Sequence, residues 1–207
     1  MLIKINDKNL SDVLKRAVEI LNNGGIVAFP TETFYGLGVR FDMENSLRKL
    51  YELKKRPKEK PMPLIIGSRA SLSMLAASVN EIAESLMDKF WPGPLTLLLK
   101  AKKGLSSYLT ADTGRIAVRI PGESTALYLA REAGFPITAT SANISGMPPA
   151  EDADAVIRYF GEKIDMVIYG GRTAGGLSST IADVTDKKIK IVREGAIARS
   201  VFEKPRC

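Results

Sequence analysis

Apolar residues recur at helical spacing through Val13, Leu14, Ala17, Val18, Ile20 and Leu21, and the run stops at Asn22-Asn23-Gly24-Gly25, a sequence suited to a helix C-cap. A continuous apolar tetrad, Ile26-Val27-Ala28-Phe29, follows at once and predicts a buried strand. Leu47, Leu50, Tyr51 and Leu53 predict a second helix from Glu44 into the basic segment at Lys54. Further strands are expected over 64–66, 95–100, 116–120, 137–140, 166–169, 179–184 and 188–192, and helices over 82–90, 125–133 and 153–160. Strands interleaved with helices imply an α/β fold, a twisted open mixed sheet with flanking helices, in one domain over residues 1–207. The clusters Trp91-Pro92-Gly93-Pro94 and Gly146-Met147-Pro148-Pro149 are too short for interdomain linkers and read as loops.

Composition narrows the chemistry. With 207 residues, 45% hydrophobic, the chain is long enough to bury a core. No run of about 18 uncharged apolar residues appears, and Leu2-Ile3-Lys4-Ile5 lacks the apolar region of a signal peptide, so a cytosolic protein without a membrane segment is expected. The one cysteine, Cys207, is too terminal for a disulfide framework or a positioned nucleophile. Histidine is absent, which removes Ser-His and Cys-His schemes and the commonest zinc ligand, and no metal-ligating set is predicted. Catalysis must then rest on charge, hydroxyls and positioning. The net charge of +7 favours anionic partners such as nucleotides or RNA.

Three segments could carry that chemistry. Pro30-Thr31-Glu32-Thr33-Phe34-Tyr35-Gly36-Leu37-Gly38 leaves a buried strand rich in hydroxyls and glycines; it is either a ligand loop at a strand end or an ordinary turn with Thr caps and glycines at positive φ. Lys54-Lys55-Arg56-Pro57-Lys58-Glu59-Lys60 places five cations in seven positions, more than the helix dipole requires, and suggests a phosphate clamp. Pro136 to Gly146 runs from a strand into small polar residues, where Ser141 and Asn143 either meet phosphate or ribose or form a strand-exit turn. No Walker A loop and no dinucleotide-binding glycine motif is present, so an ATP cradle would be assembled from Lys54, Arg56, Lys60, Arg119 and Arg193 on separate loops.

Assembled in order, the motifs resemble the YrdC/TsaC family of threonylcarbamoyl-AMP synthases. They are Pro30-Thr31-Glu32-Thr33-x-Tyr35-Gly36-Leu37-Gly38, Lys54-x-Arg56-Pro57-x-x-Lys60-Pro61, Trp91-Pro92-Gly93-Pro94-Leu95-Thr96, Val118-Arg119-Ile120-Pro121, Ser141-Ala142-Asn143-x-Ser145-Gly146, Ser179-Thr180-Ile181 and Arg193-Glu194-Gly195. The resemblance implies a concave basic pocket and synthesis of threonylcarbamoyl-AMP and pyrophosphate from L-threonine, bicarbonate and ATP. That product supplies the t6A modification of tRNA through a downstream transferase complex.

By the same resemblance Lys54 and Arg56 are catalytic, and Thr31, Thr33, Tyr35, Arg119 and Ser179 bind threonine, Arg119 through its carboxylate. Lys54, Arg56, Lys60, Arg115, Thr140, Ser141, Asn143 and Arg193 bind ATP, with Mg2+ held mainly by phosphates. Three departures stand out. Phe34 replaces a frequent Val, Leu64-Ile65-Ile66 carries no histidine where some members have one, and the short, single-domain form is expected, without the second domain of longer members. The main rival is a double-stranded RNA-binding or ribosome-maturation factor gripping phosphates with the same charges. A carbamoyl-transfer module of hydrogenase maturation is a second, though the zinc-finger cysteines of that assembly are absent.

Overall fold

The computed structural model describes residues 1–57 and 59–203; Lys58 of the basic segment and Cys207 lie outside them. The expected single sheet is two mixed sheets. The first has the order β1 (Leu2–Lys4), β9 (Met166–Tyr169), β2 (Val27–Pro30), β3 (Tyr35–Gly38) and β8 (Thr140–Ser141). The second runs β11 (Lys190–Arg193), β10 (Thr180–Asp183), β5 (Leu95–Lys100), β6 (Arg115–Arg119), β4 (Leu64–Ile65) and β7 (Ile137–Thr138).

Residues 137–140, expected as one strand, are divided between the sheets. β7 pairs with β4 in one, β8 pairs with β3 in the other, and Ala139 between them donates its N–H to Pro63 O at 2.8 Å. Thr138 completes the seam, its N–H reaching Val39 O at 3.0 Å and its hydroxyl oxygen accepting from Val39 N at 2.9 Å. The Thr138 side chain is fully buried, and its hydroxyl serves as a backbone surrogate.

Helix α1 (Leu10–Asn22) buries the predicted stripe Val13, Leu14, Ala17 and Leu21 and packs against α5 (Thr125–Ala133) and β2. Helix α2 (Glu44–Lys54) carries the basic motif at its end. α3 (Glu81–Phe90), α5 and α6 (Ala153–Phe160) each begin at a side-chain cap: Asn80 accepts from Ala83 N, Ser124 from Leu127 N and Asp152 from Ala155 N. The short helices α4 (Ser107–Thr110) and α7 (Ser200–Glu203) were not expected, nor was β1. Apolar side chains of both sheets and their helices form one contiguous core.

β3 is the departure that matters for the site. Its Tyr-Gly-Leu-Gly sequence looks like a loop, yet neither Gly36 nor Gly38 has positive φ. Gly38 is there for space: a Cβ on it would meet Phe29 Cε1 and Ile137 Cγ2 at 2.7 Å and Thr138 O at 2.9 Å. A small residue thus lets the β2–β3 hairpin lie against the seam. Gly38→Ala is expected to destabilise the fold by about 1–3 kcal/mol through overpacking, measured as a fall in urea midpoint at unchanged slope.

Candidate active site

Two clusters of site residues flank the β2–β3 hairpin, and the first begins at the end of α2. Lys55 is left-handed, with φ 49, so the chain turns sharply between the two cations on either side of it. Lys54 points inward and is 1% exposed. Its ammonium donates to the carbonyl of Ser141, to that of Asn143 at 2.7 Å, and lies 3.5 Å from Asn143 Oδ1. Asn143 holds the turn in shape by donating to Met147 O at 2.6 Å and accepting the Ser141 hydroxyl at 2.6 Å. The segment is a strand-exit turn, held by the Ser141 and Asn143 side chains, whose carbonyls face the Lys54 amine.

Arg56 is fixed on the other side of the turn, with Nε on Lys60 O at 2.8 Å and Nη2 on Pro61 O at 2.8 Å, while Nη1 stands 3.5 Å from Thr140 Oγ1. Lys60 thus contributes its carbonyl here, which also accepts the Tyr51 hydroxyl at 2.5 Å, and its side chain is exposed. Burial pulls the Lys54 pKa down to about 7, with the positive Arg56 adding to the effect. Burial also lowers Arg56, which Tyr51 partly offsets.

The second cluster gathers at the start of β5 and β10 and the end of β6 and β11. Arg119, buried at 9%, donates to Glu32 Oε1 in a close ion pair, and Glu32 Oε2 is buried without a hydrogen-bond partner. Arg193 donates from Nη2 to Ser179 O at 2.7 Å and to Ser179 Oγ at 3.3 Å, with Nε on the same carbonyl at 3.2 Å. The Ser179 hydroxyl also lies 2.8 Å from Thr96 Oγ1. Desolvation, then the charge of Arg119, lower the Arg193 pKa, although the residue as a whole is exposed.

The hairpin joins the clusters. At its tip Thr31 Oγ1 accepts from the N–H groups of Thr33 at 3.1 Å and Phe34 at 3.2 Å, and it lies 3.3 Å from the Thr33 hydroxyl. Glu32 in the same tip meets Arg119 of the second cluster, while β3 pairs Gly36 with Ser141 and Leu37 with Thr140 of the first. Tyr35 is fully buried and its hydroxyl is engaged, donating to Gly171 O at 2.8 Å and accepting from Gly170 N at 3.2 Å. Burial raises its pKa. Arg115 stands apart: it opens β6 four residues before Arg119, about 13 Å along an extended strand, and pairs with Asp183 at 3.3 Å. Two surface recesses of about 430 and 330 Å3, one lined by Asn23, Lys49 and Asp165 and one by Glu44, Tyr108 and Asp112, include no expected site residue.

Sequence reasoning gave no role to Thr96, Glu32 or Thr180, although all three lie in quoted motifs. Thr180 explains why two of those motifs travel together. Its hydroxyl donates to Ile197 O at 2.7 Å and accepts from Gly195 N and Ile197 N at 3.0 Å each. Gly195 passes so close that a Cβ would stand 2.0 Å from Ser178 O. That approach sets the end of β11, and hence Arg193, over Ser179.

The profile of the Sua5/YciO/YrdC family, described as "Telomere recombination", matches residues 19–195. The chain belongs to the Sua5/YciO/YrdC family. Among relatives in the family, a threonylcarbamoyl-AMP synthase of Pyrococcus abyssi is 37% identical over 204 residues, covering 99% of this chain and 60% of that protein. One from Idiomarina loihiensis is 36% identical over 177 residues, covering 83% of this chain and 92% of its own. The structure of the Pyrococcus abyssi Sua5 complexed with L-threonine has a TM-score of 0.92 and 36% identity over 98% of this chain and 60% of that one. The Sua5/YciO/YrdC fold is therefore shared throughout, while the chain spans about three-fifths of the Pyrococcus relative.

The lowered Lys54 pKa carries a signed consequence. Between about pH 7 and the ordinary lysine value of 10.5 the unfolded chain binds a proton that the folded chain does not, so folding stability contributed by this group rises with pH through that window and is flat outside it. Urea unfolding across the window should show wild type gaining on Lys54→Met as pH rises. Parallel curves would contradict a neutral-range lysine.

Proposed function

We propose that this chain is an L-threonylcarbamoyladenylate synthase, making threonylcarbamoyl-AMP from L-threonine, bicarbonate and ATP with release of pyrophosphate. The observation that carries the reading is the fold shared along the chain with a Sua5 that binds L-threonine. It is supported by hydroxyls and guanidinium groups flanking one hairpin without a histidine or cysteine among them.

In this reading Thr33, Ser179 and Arg119 receive the amino acid, with Thr31 fixing the hairpin tip. Arg56, Arg193, Ser141 and Thr140 face ATP. Lys54 and Tyr35 act as positioning residues, because their polar atoms already face backbone partners. The nucleophile is a carboxylate oxygen of the threonine carbamate, which attacks the α-phosphorus as pyrophosphate departs. Such a nucleophile needs no strong protein base, so the chain's task is alignment and stabilisation of charge on phosphoryl oxygens. The carboxylate in the clusters, Glu32, is engaged with Arg119, and no group of three or more metal-ligating side chains occurs among the described residues. The residues present do not form a magnesium cage, and Mg2+ would arrive on the phosphates of ATP.

The product would pass to a t6A transferase complex in the cytosol. Among the described residues no helix is long and apolar enough to cross a membrane. Double-stranded RNA binding is disfavoured, because Arg56 and Arg119 are turned inward onto carbonyls and a carboxylate rather than spread along an outer stripe.

Pyrophosphate release by the purified protein should require ATP, L-threonine and bicarbonate together; release that persists without threonine would reject the substrate. Arg56→Ala and Arg193→Ala should each lower turnover by about 10- to 100-fold, the loss of one charge-assisted hydrogen bond of about 1.5–3 kcal/mol. Near-normal turnover in both would remove the clamp.

A further inference from the structure

The hydroxyl pair Thr96 and Ser179 lies 83 residues apart in sequence and 2.8 Å apart in space, and either oxygen could in principle donate. The surrounding groups decide between the two. A guanidinium has donors only, so the 3.3 Å contact from Arg193 Nη2 makes Ser179 Oγ an acceptor there. Thr96 is 2% exposed, and its hydroxyl meets no other hydrogen-bonding group among the described residues. Were Ser179 to donate to Thr96, the Thr96 proton would be buried with no acceptor, a loss comparable to a broken hydrogen bond. Were Thr96 to donate, its proton would be satisfied and both acceptor positions of Ser179 filled. The Ser179 proton would then be free on a side chain that is only half-buried.

We propose that Thr96 is a positioning residue that donates to Ser179 and thereby sets the Ser179 hydroxyl as a hydrogen-bond donor toward an anionic oxygen of the amino-acid substrate, a carboxylate or carbamate oxygen. The charge around it fits that class of partner. Arg193 lies over Ser179 and is close enough to Arg119 for their charges to interact. Arg119 uses Nη1 on Glu32, and its other nitrogens have no protein partner among the described residues. Thr96 itself is held from three sides: it is the second residue of β5, directly behind Leu95, whose carbonyl accepts Trp91 Nε1 at 2.7 Å, it sits beside Ile181 in the parallel pairing with β10, and Pro94 O accepts Thr180 N at 3.0 Å. The Trp91-Pro92-Gly93-Pro94 loop thus fixes the donor that orients Ser179. The proposal rests on the synthase reading, with Ser179 on the amino-acid side.

The test is a double-mutant cycle on the full chain, reading KM for L-threonine and for ATP by pyrophosphate release in wild type, Thr96→Val, Thr96→Ser, Ser179→Ala and Thr96→Val/Ser179→Ala. Thr96→Val should raise the KM for threonine by about 5- to 10-fold, the size of one hydrogen bond, with the KM for ATP unchanged and thermal unfolding still cooperative. Thr96→Ser should restore the wild-type value. In the Ser179→Ala background the same substitution should have no further effect. Additive effects, or a Ser179→Ala enzyme with normal KM for threonine, would overturn the proposal while leaving the synthase reading intact. A wild-type protein with no threonine-dependent release would overturn both. Proton NMR of the unliganded protein decides the direction: a slowly exchanging hydroxyl proton is expected on Thr96, and finding it on Ser179 instead would overturn the assignment.

Discussion

A lysine amine enclosed by backbone carbonyls, charged below about pH 7, governs this architecture. Taking an ammonium out of water costs several kcal/mol unless acceptors replace the hydration shell, and for Lys54 the replacements are the carbonyls of Ser141 and Asn143. The turn can offer them because Asn143 and Ser141 use their own side chains to hold it. Helix α2 and the loop after β8 are therefore one mechanical unit, although 87 residues separate Lys54 from Ser141. Neither could shift alone without leaving either a bare ammonium or bare carbonyls in the interior.

The arginines follow the same logic with a different outcome. Arg56 is tied by the carbonyls of Lys60 and Pro61, and Arg193 by that of Ser179. A guanidinium has five donors in a rigid fork, so two bonds to the backbone fix its plane and leave other edges available. Cations held this way are oriented before a ligand arrives, which reduces the ordering cost at the moment of binding. Lysine has no such plane, which is why Lys54 serves best where it is fully enclosed.

Periodicity made α1, α2, α5, β5 and β6 legible because each carries a strong apolar repeat and ends in a recognisable cap or turn. β3 was not legible, since Gly36 and Gly38 look like turn residues when their neighbours Phe29 and Ile137 are unknown. Residues 137–140 have the apolar and β-branched character of one strand, and only the hydrogen bonds of Thr138 and Ala139 reveal two. The site was readable as motifs in order, but roles inside the motifs were not. Tyr35 and Thr180 have hydroxyls that look available in sequence and are engaged by backbone in space. The resemblance puts Arg115 with ATP and Arg119 with threonine, and the strand between them holds the two apart. Thr96 and Ser179 lie far apart in the chain, and no local pattern joins them.

The seam at Ala139 has a wider implication for how the molecule comes apart. Because a single residue separates a strand of one sheet from a strand of the other, melting either inner edge pulls on its counterpart. Native-state amide exchange should then find Leu37 and Leu64, in different sheets, opening with the same free energy, as members of one foldon rather than two.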